Sequence, residues 1–149
     1  MKWQFRFESV LRFRKQLSDQ AKMEYARARG ELDQGLKALD ELYQSIDQNF
    51  KSVQRLRESG GLQAEKLKTH DEFFTGQQIR IERQKQKRRE FKQLAEEKHE
   101  KLLASLLEYK SLERLKEKQR ERIKKEMGKK DQLQIDDMVT MRHRRHEAK

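Results

Sequence analysis

The chain has no cysteine and no proline. The first absence excludes disulfides, thiolate nucleophiles and thiolate metal ligands. The second leaves nothing that would break a helix by ring clash or a missing N–H. Aromatic residues are 7% of the 149, and hydrophobic residues, at 33%, are outnumbered by charged ones at 42%. That balance cannot furnish a broad globular core along the whole length. No run approaches the ~18–20 apolar residues of a membrane span. The opening Met1-Lys2-Trp3-Gln4-Phe5-Arg6-Phe7-Glu8 carries no apolar signal-peptide stretch, so a cytoplasmic protein is expected.

What the chain does have is a seven-residue apolar rhythm, broken once at Ser59-Gly60-Gly61. Leu32, Leu39, Ile46 and Val53 fall seven apart, and Leu36, Tyr43 and Phe50 interleave with them in the 3–4 alternation of a coiled-coil seam. After the break, Leu67, Phe74, Ile81, Ala95, Leu102, Tyr109 and Ile123 keep one frame. Glutamate, lysine, arginine, glutamine and leucine dominate, and all favour helix. The pattern predicts an all-α fold, a long two-helix antiparallel coiled-coil hairpin with a helix-two overhang. We expect one domain over 1–149: helix one about 4–58, a turn about 59–66, helix two about 67–145. Thr69 or Asp71 could cap helix two.

Upstream of Leu32 the inner stripe reads Phe7, Val10, Leu17, Ala21 and Ala28. The steps from Ala28 through Leu32 and Leu36 to Leu39 form an eleven-residue unit, a stutter that predicts a bend near 28–36. With a turn near residue 61, facing positions should sum to roughly 123. Leu32 then meets Phe91, Ala28 meets Ala95, Ala21 meets Leu102, Leu17 meets Leu106, and Val10 meets Leu112. This matching favours an intramolecular hairpin over a parallel dimer. It fails near the turn, where Leu36, Leu39 and Ile46 face Arg88, Gln84 and Gln77. The leftover apolar surface there is either a partner site or is buried in a shifted hairpin. Arg14 and Lys116 fall at seam positions and are expected to reach out to water. Beyond about Arg120, helix two has no counterpart, and sparse apolar residues from Ile123 to Met141 lie among Arg120, Arg122, Lys124, Lys125, Lys129 and Lys130. Such an end should fray or enter a partner.

No phosphate loop, dinucleotide loop or nucleophile elbow occurs, and no enclosed cleft is expected to shift the adjacent carboxylates Glu96-Glu97 or Asp136-Asp137. His143 and His146 are three apart, but Arg142, Arg144 and Arg145 would repel a cation there. His70 and His99 are expected to be isolated and exposed. We therefore expect no enzyme, no cofactor and no metal. The net charge of +11 invites an acidic partner. Lys85-Gln86-Lys87-Arg88-Arg89 and Met141-Arg142-His143-Arg144-Arg145 keep a nucleic-acid-binding coiled coil as an alternative, although no base-reading fold is evident and solvated faces account for most mixed charge. A membrane role for Trp3, Phe5, Phe7, Leu11 and Phe13 is weaker, since core packing or partner docking explains them equally well.

Three stretches resemble the FliJ family of the flagellar type III export apparatus. Phe5-Arg6-Phe7-Glu8-Ser9-Val10-Leu11-Arg12-Phe13-Arg14 is similar to the family's opening of alternating phenylalanine and basic residues before valine-leucine. Lys110-Ser111-Leu112-Glu113-Arg114-Leu115-Lys116-Glu117-Lys118 is similar to its lysine, leucine-glutamate, leucine, glutamate-lysine segment. Asp136-Asp137-Met138 followed by Arg142 resembles its acidic pair and basic tail. The resemblance covers nearly the whole chain. It implies a stalk in the cytoplasm, peripheral at the inner face of the cell membrane, with the joined termini in the export ATPase ring and the other part on the membrane-embedded export gate. Some members also bind export chaperones. No specific nucleic acid is implied. Carried onto this chain, the ATPase-binding tip would be Phe5, Phe7, Val10, Leu11, Arg14, Leu112, Leu115, Arg120, Arg122 and Lys124. The gate-binding cluster would be Leu39, Tyr43, Phe73, Phe74 and Ile81, with Gln77 standing where an aliphatic residue is expected. An injectisome stalk protein is the neighbouring alternative.

Overall fold

The computed structural model describes residues 2–61 and 64–148. Two helices account for nearly all of them, α1 at Glu8–Glu58 and α2 at Ala64–Glu147, and no strand occurs among the described residues. Helix α1 starts four residues later than the apolar pattern suggests. The segment ahead of it is held by aromatic contacts, Trp3 against Phe5 at 6.2 Å and Phe5 edge-on to Phe7 at 5.8 Å. Thr69 and Asp71 do not cap α2, because both lie inside it; the Thr69 hydroxyl donates to the Glu65 carbonyl. Residues 62 and 63 of the expected turn lie outside the described residues.

Helix α1 ends as its glycines dictate. Gly60 adopts φ 70°, its N–H donates to the Arg57 carbonyl, and the Gly61 N–H donates to Leu56. These bonds satisfy carbonyls left unpaired by the last turn, and a Cβ at Gly60 would strain the left-handed residue that closes them.

The residues group into two compact units, Asp19–Leu103 and Met1–Ser18 with Ala104–Lys149. In the first unit, α1 and α2 pack antiparallel across the turn. Glu24 meets Lys98, Tyr25 stacks on His99, Gly35 meets Gln84 and Phe91, Ser45 meets Gln77, and Asn49 meets His70. The two numbers of each pair add to between 119 and 126, close to the expected register. Ala28, Leu39, Ile81, Ala95 and Leu102 are buried.

The stutter is not used. Among the buried and half-buried positions of α1, Tyr25, Ala28, Leu32, Gly35, Leu39, Leu42, Ile46, Asn49, Val53 and Leu56 trace an unbroken 3–4 alternation, with Glu31, Ala38 and Ser45 half-buried along one edge. Gly35 takes the place expected for Leu36, because the Phe91 ring on α2 fills the space a larger residue would need. A Cβ built at Gly35 would sit 3.5 Å from Phe91 Cδ2 and 3.6 Å from Gln84 Nε2, ordinary van der Waals contact. Gly35→Ala should therefore stabilise the hairpin by up to about 1 kcal/mol through helix propensity. A melting temperature raised by a few degrees would show it; a lowered one would mean the site is already full.

In the second unit, the N-terminal turns of α1 meet α2 through ion pairs. Arg14 bonds Glu108, and Lys116 Nζ reaches Glu8 at 2.8 Å. The two seam cations expected to extend into water are thus partnered across the helices. The inner stripe here runs through Leu11, Arg14 and Ser18, with Leu17 half-buried beside it, while Phe7 and Val10 are exposed. Phe5 and Leu11 are buried, and the fully buried Ser18 hydroxyl donates to the Lys15 carbonyl at 2.8 Å. Small and charged residues at seam positions hid this frame from a reading based on hydrophobicity.

Candidate partner-binding surfaces

Two surfaces lack a partner within their own unit. The first lies in the turn half of residues 19–103. There polar residues enter the seam among Leu39, Ile46, Val53 and Ile81 and close by hydrogen bonds. Gln77 is only 4% exposed; its amide donates to the Ser45 hydroxyl at 2.9 Å and accepts from Arg80 at 3.1 Å. Gln84 donates to the Gly35 carbonyl at 3.2 Å, and His70 Nδ1 meets Asn49 Oδ1. His70 is therefore half-buried and bonded, not isolated. His99 is exposed but stacks on Tyr25 at 5.1 Å. No buried side-chain nitrogen or oxygen lacks a partner among the described residues. This polar lining answers the missing aliphatic residue at Gln77: satisfied amides replace it at little net cost.

With glutamines in the seam, large apolar residues stay outside. Leu36, Tyr43 and Phe50 are 41%, 46% and 69% exposed, and Phe73 and Phe74 are 39% and 42% exposed. Neither of the two adjacent phenylalanines is buried. Helical geometry explains this. Phe74 shares the frame of Ile81 but lies beside the polar layer of Asn49 and His70. Phe73 is one position, about 100°, round the helix. Of the five residues of the resemblance-based gate cluster, Tyr43, Phe73 and Phe74 are offered to solvent, while Leu39 and Ile81 are buried in the seam. Leu36 and Phe50 are exposed apolar residues outside that cluster. Their spacing placed them in the seam; the competing set Gly35, Leu42, Asn49, also seven apart, was the signal for the other face.

The second surface is the free end of α2. Ile123 is half-buried, and every residue from Lys124 to Ala148 is exposed. The helix continues to Glu147, so 24 residues, about 36 Å, stand without a helical neighbour in their unit. Steps of seven from Ile123 give Lys130, Asp137 and Arg144, so the seam frame ends in charge. Apolar residues return on another face, where Ile135, Met138 and Val139 share a side with Arg142. Of the predicted tip residues, Phe5 and Leu11 are buried and Arg14 and Leu112 half-buried. Phe7, Val10, Leu115, Arg120, Arg122 and Lys124 are exposed, with Arg122 paired to Glu126 along the helix at 3.3 Å. The Arg6 guanidinium sits 5.6 Å over the Phe7 ring.

The electrostatics are those of solvated pairs. Lys98 Nζ donates to Glu24 at 3.1 Å and holds that carboxyl below the ordinary glutamate range. Its stabilisation is present above that range and fades as pH falls through the lowered value; on an exposed pair it is small. No cluster of three metal-binding side chains occurs among the described residues, and no helix is long and apolar enough to cross a membrane.

The family model described as flagellar FliJ protein matches residues 1–148. The chain belongs to the FliJ family. It is thereby a component of the flagellar export apparatus, from a family of export stalk proteins. No curated protein and no solved structure matches it.

Proposed function

We propose that this chain is a stalk in the cytoplasm that couples the flagellar export ATPase ring to the membrane export gate, held at the inner face of the membrane through its partners. The observation carrying the reading is the free end of α2. A FliJ-family helix that leaves 24 residues bare, with Arg120, Arg122, Lys124, Lys125, Lys129 and Lys130 near its root, suits a ring lumen with acidic walls. Phe7, Val10 and Leu115 add exposed apolar contacts beside it, and Arg14 and Leu112 brace them from the seam. Catalysis belongs to the ATPase; this chain contributes binding. Export chaperones are further partners of the same surfaces.

Gate contact falls to the turn half, through Tyr43, Phe73 and Phe74. Leu39 and Ile81 support the surface from within. Aromatic anchors at interfaces are commonly worth ~2 kcal/mol or more on truncation. Tyr43→Ala combined with Phe73→Ala and Phe74→Ala should lower affinity for the gate's cytoplasmic part at least tenfold by calorimetry, while the melting temperature changes little. Unchanged affinity would remove the turn half from gate binding. Nucleic acid is the competing class, and steep salt-dependent binding to generic duplex DNA would favour it.

A further inference from the structure

On one flank of the seam in residues 19–103, positions seven apart on α1 are Glu24, Glu31, Ala38, Ser45 and Ser52. The line facing it on α2, also seven apart, is Lys101, Leu94, Lys87 and Arg80. Away from the turn the charges are matched. Lys98 Nζ reaches Glu24 at 3.1 Å, and the Lys101 charge acts on the same carboxylate. Towards the turn the acids stop and the cations do not. Arg83 joins Arg80 and Lys87 there, three and four residues from them on one face of α2. None of these three cations has an ion pair among the described residues. At those spacings they repel one another, which weakens the helix in isolation.

The unmatched cations line a groove of about 520 Å³ whose α1 wall is Ala38, Leu42 and Ser45. These small side chains leave room where a glutamate of the α1 line would otherwise stand. Arg80 is held in place: its Nη1 donates to Gln77 Oε1 at 3.1 Å, and buried Gln77 donates across the seam to the Ser45 hydroxyl. The remaining donors of that guanidinium are left for a ligand. Glu41 is the one acid lining the groove, and it makes no ion pair among the described residues. Glu31 and Glu90 come only beyond the groove's end, away from the turn.

We propose that this groove binds an acidic peptide segment of a protein partner, whose carboxylates stand beside Ala38 and Ser45, where the α1 line lacks its own, and meet Arg80, Arg83 and Lys87. Arg80 and Lys87 are seven residues, about 10 Å, apart along α2. Two carboxylates at that separation satisfy both, the one on the guanidinium in the paired geometry arginine favours. The charge pattern selects a peptide over nucleic acid. A nucleic-acid strand carries a charge every ~3.4 Å and would run on into Glu41, Glu31 and Glu90. A peptide places its carboxylates only where the cations stand. The site goes beyond the gate and ring assignments, which use none of the groove's residues.

The probe is a synthetic 12-residue peptide with glutamate at every third position and serine or alanine between, labelled for anisotropy. Its counterparts carry glutamine or lysine for every glutamate. The full chain should bind the acidic peptide saturably and at least tenfold more tightly than either counterpart. Ala38→Glu supplies the missing carboxylate from α1 itself. It should weaken binding at least tenfold, with the thermal melt held or raised. Arg83→Glu with Lys87→Glu should reverse the preference towards the lysine peptide. Lys124→Glu with Lys125→Glu makes the same change in net charge in the other unit and should leave binding within twofold. Tyr43→Ala with Phe73→Ala and Phe74→Ala should also leave it within twofold, so this site and the gate reading fail separately. Loss of binding in either control, or full binding by Ala38→Glu, overturns the proposal. So does tighter binding of a single-stranded oligonucleotide of equal charge that Ala38→Glu abolishes. A concentration-dependent dimer in sedimentation that Ala38→Glu removes overturns it too, because the groove would then belong to a second copy.

Discussion

Leu39→Asp should destabilise the hairpin of residues 19–103 by about 3 kcal/mol or more, while Leu36→Asp, three residues away, should cost under about 1 kcal/mol. Leu39 is buried at a seam position, and a carboxylate there would lose its hydration with no cation placed to meet it. Leu36 points to the open flank, where aspartate stays solvated. The unit buries few large side chains fully, so losing one removes a substantial share of a stability that is marginal in any domain. The satisfied amides of Gln77 and Gln84 fix register without adding much net energy, so they cannot compensate. Thermal melts followed by circular dichroism separate the pair: a fall of at least ten degrees for Leu39→Asp against a few for Leu36→Asp. Equal falls would restore the stuttered frame, in which both leucines face α2.

That contrast marks how far the sequence can be read. The antiparallel pairing, the turn at Gly60-Gly61 and the register that sets Ala28 against Ala95 follow from apolar spacing, because the glycine turn selects one register among those that alanines and leucines seven apart allow. The seam near the turn and at the start of α1 does not follow, because Gly35, Asn49, Gln77, Ser18 and Arg14 occupy it beside apolar residues such as Leu39, Ile46 and Ile81. A hydrophobicity pattern passes over residues that enter a seam by being small or by finding a hydrogen bond or ion pair across it. Leu36, Tyr43 and Phe50 make the more apolar 3–4 series, yet α2 presents glutamines and arginine opposite, and the helix turns its quieter face inward. The candidate surfaces share this history. Leu39 and Ile81, placed in the seam frame by spacing, entered the gate cluster only through the resemblance, while exposed Leu36 and Phe50 looked buried, since a shift of one position moves a side chain about 100° round a helix. The free end was easier to foresee: charged residues occupying the seam frame after Ile123 leave nothing for a neighbour to cover.

In the proposed stalk role the chain stimulates the export ATPase, and ending it after Ile123 should abolish most of that stimulation, a loss of tenfold or more, and leave the melting temperature within about two degrees of the full chain. Among the described residues none beyond Ile123 is buried, and the ion pairs that join α1 to α2 in that unit, Arg14 with Glu108 and Lys116 with Glu8, lie inside the retained part. Removing the end therefore deletes a binding element without disturbing the packing that supports it. Two narrower variants divide its contribution. Lys124→Glu with Lys125→Glu, Lys129→Glu and Lys130→Glu should act mainly at low ionic strength, because exposed charges separated by more than about 8 Å are screened at physiological salt. Their effect should appear as slower association. Ile135→Ala with Met138→Ala and Val139→Ala should weaken the complex at any salt, through faster dissociation, since these side chains form the one apolar face left on the free helix. Full stimulation by the truncated chain would show that the ring is engaged elsewhere and that the bare 24 residues of α2 serve a different partner.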